Sequence, residues 1–186
     1  MGTAARPREP YTDLVFDTHD LGRGAGRTMQ VQRTAEAPAE LGIEVIGVPH
    51  ESPIELDLRL ESVVEGVLVT GTAEARLAGQ CVRCLVDLTD SVVADLQELY
   101  VYPDKVSDDA ESEEELRHLD GDLLDLEPAL RDAVVLDLPF QPLCRPDCQG
   151  LCPECGTDLN DDPEHAHVAP VDPRWSGLAS WSREQS

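Results

Sequence analysis

The stretch Ile54-Glu-Leu-Asp-Leu-Arg-Leu-Glu61 alternates apolar and charged residues without a break. Because successive side chains of a β-strand point to opposite faces, this alternation predicts a half-buried strand. The following segment repeats the pattern with smaller side chains, at Val67, Val69, Gly71, Ala73, Ala75 and Leu77. The two segments therefore predict two long neighbouring strands of an antiparallel meander.

A close cysteine pair, Cys81-Val-Arg-Cys84, follows the second predicted strand. Alternation then resumes and predicts a third strand, through Val86, Leu88, Val92, Ala94 and Leu96. The cysteine pair is thus expected at the tip between two strands. The alternation slips from Gln97 to Tyr100, and this slip predicts a bulge or a strand end.

One helix is predicted after the strands, with an apolar stripe at Leu126, Leu130, Val134 and Leu138. Asp125 is expected to cap it, Pro128 is tolerated in its first turn, and Pro139 ends it. If the helix packs on the sheet, it delivers Cys144 towards the first cysteine pair. The expected fold class is α+β: an antiparallel β meander or sheet with one packed helix and a C-terminal zinc-knuckle module.

Four segments follow from these patterns. Residues 1–12 are expected to be a disordered start, and 13–103 a β-rich scaffold that carries the first cysteine pair. Residues 104–121 are predicted to be an acidic mobile loop, since their carboxylates repel one another and they have little to bury. Residues 122–186 are predicted to hold the helix and a Cys/His zinc-binding module, with Trp175 and Trp181 on a short docked helix.

Four of the six cysteines lie in Cys144-Arg-Pro-Asp-Cys148-Gln-Gly-Leu-Cys152-Pro-Glu-Cys155-Gly156. Short spacing suits a metal, because one tight turn aims two ligands at an ion about 2.3 Å from sulfur, whereas a disulfide across so short a loop is strained. His165-Ala-His167 adds a fourth pair at ligand spacing. The eight side chains would fill one or two structural zinc sites. The alternatives are buried or disulfide-bonded thiols in a secreted protein, and ordinary surface histidines.

The strongly acidic composition indicates which kind of partner the protein can bind. The formal net charge is -24 over 186 residues, and so acidic a surface repels phosphate and favours a basic protein partner. We find no signal-like start and no apolar run of the roughly 18 residues that a membrane span needs. A cytoplasmic location is therefore expected, where reduced thiols favour metal over disulfide.

The most basic part of the chain is glycine-rich, Leu21-Gly-Arg-Gly-Ala-Gly-Arg27. It lacks the Gly-Lys-Ser/Thr ending of a phosphate-binding P-loop, so a flexible turn is the preferred interpretation. Arg23, Arg27 and Arg33 are nonetheless the candidates for contact with RNA phosphates.

Five separated motifs together resemble the YceD-like large ribosomal RNA subunit accumulation proteins. They are Cys-Val-Arg-Cys-Leu (81–85), Leu-Pro-Phe-Gln-Pro-Leu-Cys (138–144), Cys-Gln-Gly-Leu-Cys-Pro-Glu-Cys-Gly (148–156), Leu159-Asn160 and Asp-Pro-Arg-Trp (172–175). The resemblance spans roughly residues 40–180. It implies a role in the synthesis, processing or stability of large-subunit (23S-type) ribosomal RNA, with a basic ribosomal protein or a large-subunit assembly intermediate as partner. It implies no catalytic residues.

Many members of that family have Cys-x-Cys where this chain has His165-Ala-His167, and histidine in place of cysteine preserves a zinc site. Other members keep counterparts of the first four cysteines and lack the later pair. The resemblance thus implies one site from Cys81, Cys84, Cys144 and Cys148, and another from Cys152, Cys155, His165 and His167. The spacing also allows the competing set Cys81, Cys84, Cys152 and Cys155.

Four thiolates on a divalent ion leave a net charge of minus two. Arg83 and Arg145 stand beside the first set in sequence and are expected to offset that charge and donate to sulfur. With every position filled by protein, neither site would be catalytic, so we do not expect an enzyme. The alternative function is a thiol redox or zinc-release switch, although no helix pattern opens after Cys84 to activate a thiolate.

Overall fold

The computed structural model describes residues 13–105 and 116–167, together with Arg174. Three predictions lie outside the described residues: the disordered start over 1–12, the central part of the acidic loop, and the docked helix with Trp175 and Trp181.

The described chain forms nine strands, one α-helix and a short 3-10 turn at Pro103–Lys105. The strands are β1 Val15–Asp17, β2 Thr28–Glu36, β3 Leu41–Ile43, β4 Ile46–Val48, β5 Pro53–Ser62, β6 Gly66–Gln80, β7 Asp87–Val101, β8 Arg117–His118 and β9 Leu123–Asp125, and the helix is α1 Glu127–Asp137. Seven of the strands form one sheet, and β1 pairs with β9 in a second, two-stranded sheet.

Strand β6 is the centre of the larger sheet. One of its edges pairs with β7 along its whole length, and the other edge pairs first with β5 and then, near its end, with β4. Strand β2 lies outside β5 and β3 outside β4, all antiparallel, while β8 joins the end of β7 in parallel. The predicted meander is therefore present as β5, β6 and β7. A mostly antiparallel sheet with one helix fits the α+β class.

The predicted bulge between Gln97 and Tyr100 is wrong. The register of β6 with β7 runs unbroken from Gly66 opposite Val101 to Gln80 opposite Asp87. The sequence pattern slips because Leu99 lies opposite Leu68 on the outer face of the sheet. An apolar pair on the outer face interrupts the alternation of residue types without interrupting the strand.

The apolar stripe of α1 is confirmed. Leu126, Leu130, Val134 and Leu138 are all at most 3% exposed, and the helix packs against β7 and β3. The predicted cap is one residue too early, because Leu126 occupies the N-cap position. Asp125 instead accepts a hydrogen bond of 3.0 Å from the backbone N–H of Glu127, which still satisfies one of the unpaired amides of the first turn.

Both ends of the segment predicted as a mobile loop, 104–121, have regular backbone. Its first residues belong to the 3-10 turn, and β8 near its end pairs with Tyr100 and Val101. The two ends of the predicted loop thus belong to regular elements, and its central residues 106–115 lie outside the described residues. The one helix of the described residues has eleven residues, and it is not long and apolar enough to cross a membrane.

Candidate metal centres

The first cysteine pair forms a tight knuckle turn between β6 and β7. The N–H of Leu85 donates to the carbonyl of Cys81 over 2.9 Å, and the N–H of Cys81 donates to the carbonyl of Val86 over 2.9 Å. These two bonds close the turn so that the side chains of Cys81 and Cys84 can point to the same place.

The segment after α1 brings two more cysteines to this knuckle. The backbone N–H of Val82 donates to the carbonyl of Pro142 over 3.0 Å, which fixes the segment against the knuckle just before Cys144. The N–H of Cys148 donates to the carbonyl of Arg145 over 3.2 Å, so the chain turns back between the two cysteines. A strand tip and a post-helical turn thus supply two ligands each.

The four sulfurs are arranged as a compact group. The Sγ atoms of Cys81 and Cys148 are 3.8 Å apart, those of Cys84 and Cys144 are 3.5 Å apart, and all four lie within 4.8 Å of one another. A tetrahedral zinc ion with Zn–S bonds of ~2.3 Å has S–S edges of ~3.8 Å. Cys81 and Cys148 are fully buried, whereas Cys144 is exposed. The size and chemistry of this donor set fit zinc.

A second knuckle repeats the turn of the first. The N–H of Gly156 donates to the carbonyl of Cys152, and the N–H of Cys152 donates to the carbonyl of Thr157, both over 2.8 Å. Gly156 has a φ of +76°, a left-handed conformation that glycine adopts without strain. Cys152 and Cys155 are thereby presented together, as Cys81 and Cys84 are.

The two histidines complete this second group. The Nε2 atoms of His165 and His167 lie 3.1 and 3.2 Å from the Sγ of Cys155, and 2.9 Å from each other. Their ligand atoms and those of Cys152 and Cys155 all lie within 4.8 Å. Two thiols and two imidazoles are a donor set that zinc binds tetrahedrally.

A carboxylate stands behind each imidazole. The Nδ1 of His165 is 3.7 Å from Asp162, and the Nδ1 of His167 is 3.5 Å from Glu154. These distances are longer than a hydrogen bond, but a carboxylate on the Nδ1 side favours the tautomer with its proton there, and each ring turns Nε2 towards the sulfur of Cys155. Both histidines therefore present the same nitrogen to the group.

The pKa values of the cysteine thiols depend on burial, on nearby hydrogen-bond donors and on the neighbouring sulfurs. Burial works to raise the pKa of Cys81, but backbone hydrogen bonds from Cys84, Cys144 and Arg83 outweigh it, and the pKa falls to about 6. Desolvation and, after it, the neighbouring sulfurs together raise the pKa of Cys144 to about 12. In the second group, hydrogen bonds from Thr157 lower the pKa of Cys155 to about 6. A cation is what would allow all four thiolates of the first group to coexist.

Among the described residues, neither predicted charge-compensating arginine donates from its guanidinium to a sulfur, although the backbone N–H of Arg83 lies against the sulfur of Cys81. Arg83 donates from Nη1 to the carbonyl oxygen of Cys148 over 2.7 Å. Arg145 lies 3.6 Å from Asp147 and its side chain is 48% exposed. Arg83 therefore binds the backbone of the first group, while Arg145 pairs at the surface.

Two side chains to which the sequence motifs assigned no role approach a sulfur: Thr157, whose hydroxyl lies 3.1 Å from the Sγ of Cys155 in the second group, and Asn160, beside the first group. Its Nδ2 lies 3.6 Å from the Sγ of Cys148, and its Oδ1 accepts a 2.8 Å hydrogen bond from the N–H of Gln149. The Leu159-Asn160 motif was the available signal. Because the N–H of Leu159 donates to the carbonyl of Gly150 over 2.9 Å, this turn links the two groups.

The three arginines predicted as RNA contacts lie apart from both groups in the sequence. Arg23 pairs with Asp104 over 2.9 Å and lies 4.7 Å above the ring of Tyr102. Arg33 donates to the carbonyl of Asp13 over 2.9 Å and covers the ring of Phe16. The guanidinium of Arg27 lies against Gly22. Contact with RNA stays a prediction.

Comparison with known proteins decides the family. A family model described as "Large ribosomal RNA subunit accumulation protein YceD" matches residues 69–180, which is more than half of the chain and includes the eight cysteine and histidine side chains of the two groups. The chain belongs to the YceD family. The resemblance predicted from the five motifs is confirmed, and the YceD match covers most of β6 with all of β7 and α1.

Relatives of this YceD-family chain occur in mycobacteria. Proteins described as uncharacterized from Mycobacterium bovis and Mycobacterium tuberculosis are 43% identical over 171 residues, which is 92% of this chain and 82% of theirs. One from Mycobacterium leprae, described in the same way, is 41% identical over 171 residues, 92% of this chain and 78% of its own. No solved structure matches the chain significantly.

Proposed function

We propose that this chain is a non-enzymatic ribosome-biogenesis factor that supports the synthesis, processing or stability of large-subunit ribosomal RNA and holds structural zinc. The description of the YceD family supports the role in ribosomal RNA accumulation. The observation that carries the zinc is the convergence of Cys81, Cys84, Cys144 and Cys148 from two distant parts of the chain.

A structural role for the metal follows from the ligand count. The first group would hold zinc with four thiolates, and the second with Cys152, Cys155, His165 and His167. Four protein ligands fill a tetrahedral ion and leave no position for substrate or activated water. The ion would supply cross-links between parts of the chain.

The first cross-link closes the longest loop. Cys84 and Cys144 are 60 residues apart in sequence, and the chain between them contains β7 and α1. Because the unfolded chain has no preformed site, the free energy of zinc binding at these cysteines would stabilise the folded arrangement of this long segment and couple metal binding to folding. The second site closes only a short loop within the last part of the described chain, so it would order that part alone.

The charge of the protein supports a basic partner. A net charge of -24 attracts the lysine- and arginine-rich proteins of the large subunit and repels phosphate. The proposed partner is therefore a basic ribosomal protein or a large-subunit assembly intermediate, and the proposed location is the cytoplasm. RNA contact through Arg23, Arg27 and Arg33 would be a secondary interaction.

A zinc-release switch is the second candidate function. One observation favours it: two ligands of the second group, Cys155 and His167, are exposed, whereas the first group has one exposed ligand, Cys144. Because the pKa of Cys155 is lowered to about 6 while that of Cys144 is raised, Cys155 is the more reactive of the two exposed thiols towards an oxidant. Reversible release of about one zinc per chain with peroxide, restored by a thiol reductant, would support this function, and stable retention of zinc would exclude it.

Deletion of the gene tests the proposed function. We expect a lower ratio of large-subunit to small-subunit ribosomal RNA, restored by the wild-type gene but not by Cys84→Ser, which breaks the first site. Quantitative hybridisation of total RNA and sucrose-gradient profiles of ribosomal subunits would give the ratio. An unchanged ratio in the deletion strain would contradict the proposal.

A further inference from the structure

The two knuckles have the same backbone turn but different side chains at equivalent positions. Both turns are closed by the same pair of backbone hydrogen bonds, over 2.8 to 2.9 Å. The residue after the second cysteine is left-handed in each, with a φ of +60° at Leu85 and +76° at Gly156. Glycine adopts this conformation freely, whereas a leucine in it is strained.

The leucine at this strained position does not pack in the hydrophobic core. The side chain of Leu85 is 57% exposed, and its neighbours Val82 and Val86 are 37% and 49% exposed. The second knuckle makes the same turn with Pro153, Gly156 and Thr157 at the equivalent positions. Three exposed apolar side chains on one turn are therefore not required by the turn, and clustered exposure of this kind is typical of interaction sites.

These side chains border a groove. Its lining includes Val82 and Leu85 of the knuckle, Ile43, Glu44 and Val45 at the turn between β3 and β4, and residues 78–81 at the end of β6 and just after it. Ile43 and Val45 are partly buried. We call Ile43, Glu44, Val45, Val82 and Leu85 the knuckle-tip groove.

We propose that the knuckle-tip groove docks a segment of a basic protein that inserts one large apolar side chain between Leu85 and the β3–β4 turn. This inference rests on the proposed function and assigns its partner-binding surface. The apolar side chains favour an apolar anchor, and Glu44 with the net charge of -24 repels phosphate and attracts lysine or arginine beside that anchor.

The test measures binding to a defined probe. The probe is the protein fraction that lithium chloride strips from purified large ribosomal subunits, followed by the individual basic proteins separated from it. Leu85→Gly should weaken binding at least tenfold with no loss of thermal stability, since glycine relieves the left-handed strain. Leu85→Met should retain binding. Val64→Ala is the matched control, because Val64 is 67% exposed in the turn at the opposite end of β6.

A photo-crosslinking residue in place of Val86, with the same residue in place of Val64 as control, locates the contact. Crosslinks to a basic protein from position 86 alone are expected. Equal crosslinking from both positions, crosslinks to RNA instead of protein, or full binding by Leu85→Gly would each overturn the inference.

Complementation of the deletion strain separates the inference from the proposed function. If Leu85→Gly fully restores the ribosomal RNA ratio, partner binding at the knuckle-tip groove is contradicted, while the proposed function stands. An unchanged RNA ratio in the deletion strain contradicts the proposed function. In that case the binding assay with Leu85→Gly still tests whether the groove docks a basic protein.

Discussion

Arg83 donates a 2.7 Å hydrogen bond from Nη1 to the carbonyl oxygen of Cys148, which lies 65 residues further along the chain. Its own carbonyl oxygen accepts a hydrogen bond of 3.2 Å from the N–H of Leu151. One residue at the tip of the β6–β7 turn thus holds the backbone on both sides of Gly150. The bond is charge-assisted and partly buried, which makes it one of the stronger contacts between the two halves of the first group.

Arg83→Ala should destabilise the first group. The lost charge-assisted hydrogen bond leaves the carbonyl of Cys148 without this donor, and we expect the free energy of unfolding to fall by roughly 1 to 2 kcal/mol. Urea unfolding of the zinc-loaded protein would measure this change.

Arg145→Ala is the matched control for Arg83→Ala. Arg145 directly follows Cys144, as Arg83 precedes Cys84, but among the described residues its side chain pairs with Asp147 at the surface, and exposed ion pairs contribute little. We expect a change within about 0.5 kcal/mol. Equal destabilisation by the two substitutions would show that the contact between Arg83 and Cys148 has no special weight.

Asn160→Ala should weaken zinc binding at the first site. The substitution removes the amide 3.6 Å from the sulfur of Cys148 and the acceptor for the N–H of Gln149. Loss of a group that supports a metal ligand typically lowers metal affinity about 10- to 100-fold. Competition with a chromophoric zinc chelator would measure the affinity of each variant.

Gln149→Ala provides the comparison for Asn160→Ala. The side chain of Gln149 is exposed and, within the part of the chain that the structure describes, donates to the carbonyl of Asp147, while its backbone N–H, which donates to Asn160, is retained in the variant. Its zinc affinity should match that of the wild type. If Asn160→Ala also matched the wild type, the contact with Cys148 would have no part in metal binding.

The pKa of His19 should depend on Asp122. A side-chain hydrogen bond with Asp122 raises the pKa of His19 above its ordinary value of 6.5, and the nearby charges of Asp122, Asp17 and Asp20 add to the effect. Because the folded-state pKa is raised, this contact stabilises the fold fully below pH 6.5. The stabilisation is lost as the pH rises through the raised value.

Titration of the His19 ring by nuclear magnetic resonance, in the wild type and in Asp122→Asn, tests this assignment. The pKa should return towards 6.5 in Asp122→Asn, while the backbone carbonyl of Asp122 still accepts from Thr18. An identical pKa in the two proteins would contradict the assignment.

The sequence predicts those elements whose pattern is local. Strand β5 alternates apolar and polar residues without exception, and α1 with its two caps has four apolar residues at a spacing of four. Both periods can therefore be recognised from the sequence. The sequence pattern predicts neither strand β2 nor the β3–β4 hairpin. In β2, Arg33 occupies a position on the core side, opposite Leu56, and covers Phe16, which hides the alternation. The strands of the hairpin have three residues each, too few to establish a period.

For the candidate metal centres too, local features could be predicted from the sequence and long-range ones could not. Close pairs such as Cys152 and Cys155 are recognisable from spacing alone, since one turn presents both ligands. Which pairs share an ion depends on how the segment after α1 packs against the β6–β7 tip, and spacing does not encode that packing. The same holds for Arg83, whose position beside Cys84 is visible in the sequence but whose bond to the carbonyl of Cys148 requires the fold.

The measurement that tests the central claim most directly is the zinc content per chain of tag-free protein, in the wild type, Cys84→Ser and His167→Ala. We expect two zinc ions in the wild type and one in each variant, with a large loss of stability for Cys84→Ser alone, because its site closes the long loop. A single zinc ion that His167→Ala leaves unchanged would contradict the second site. Absence of zinc from freshly purified wild-type protein, with disulfides in place of free thiols, would contradict both sites.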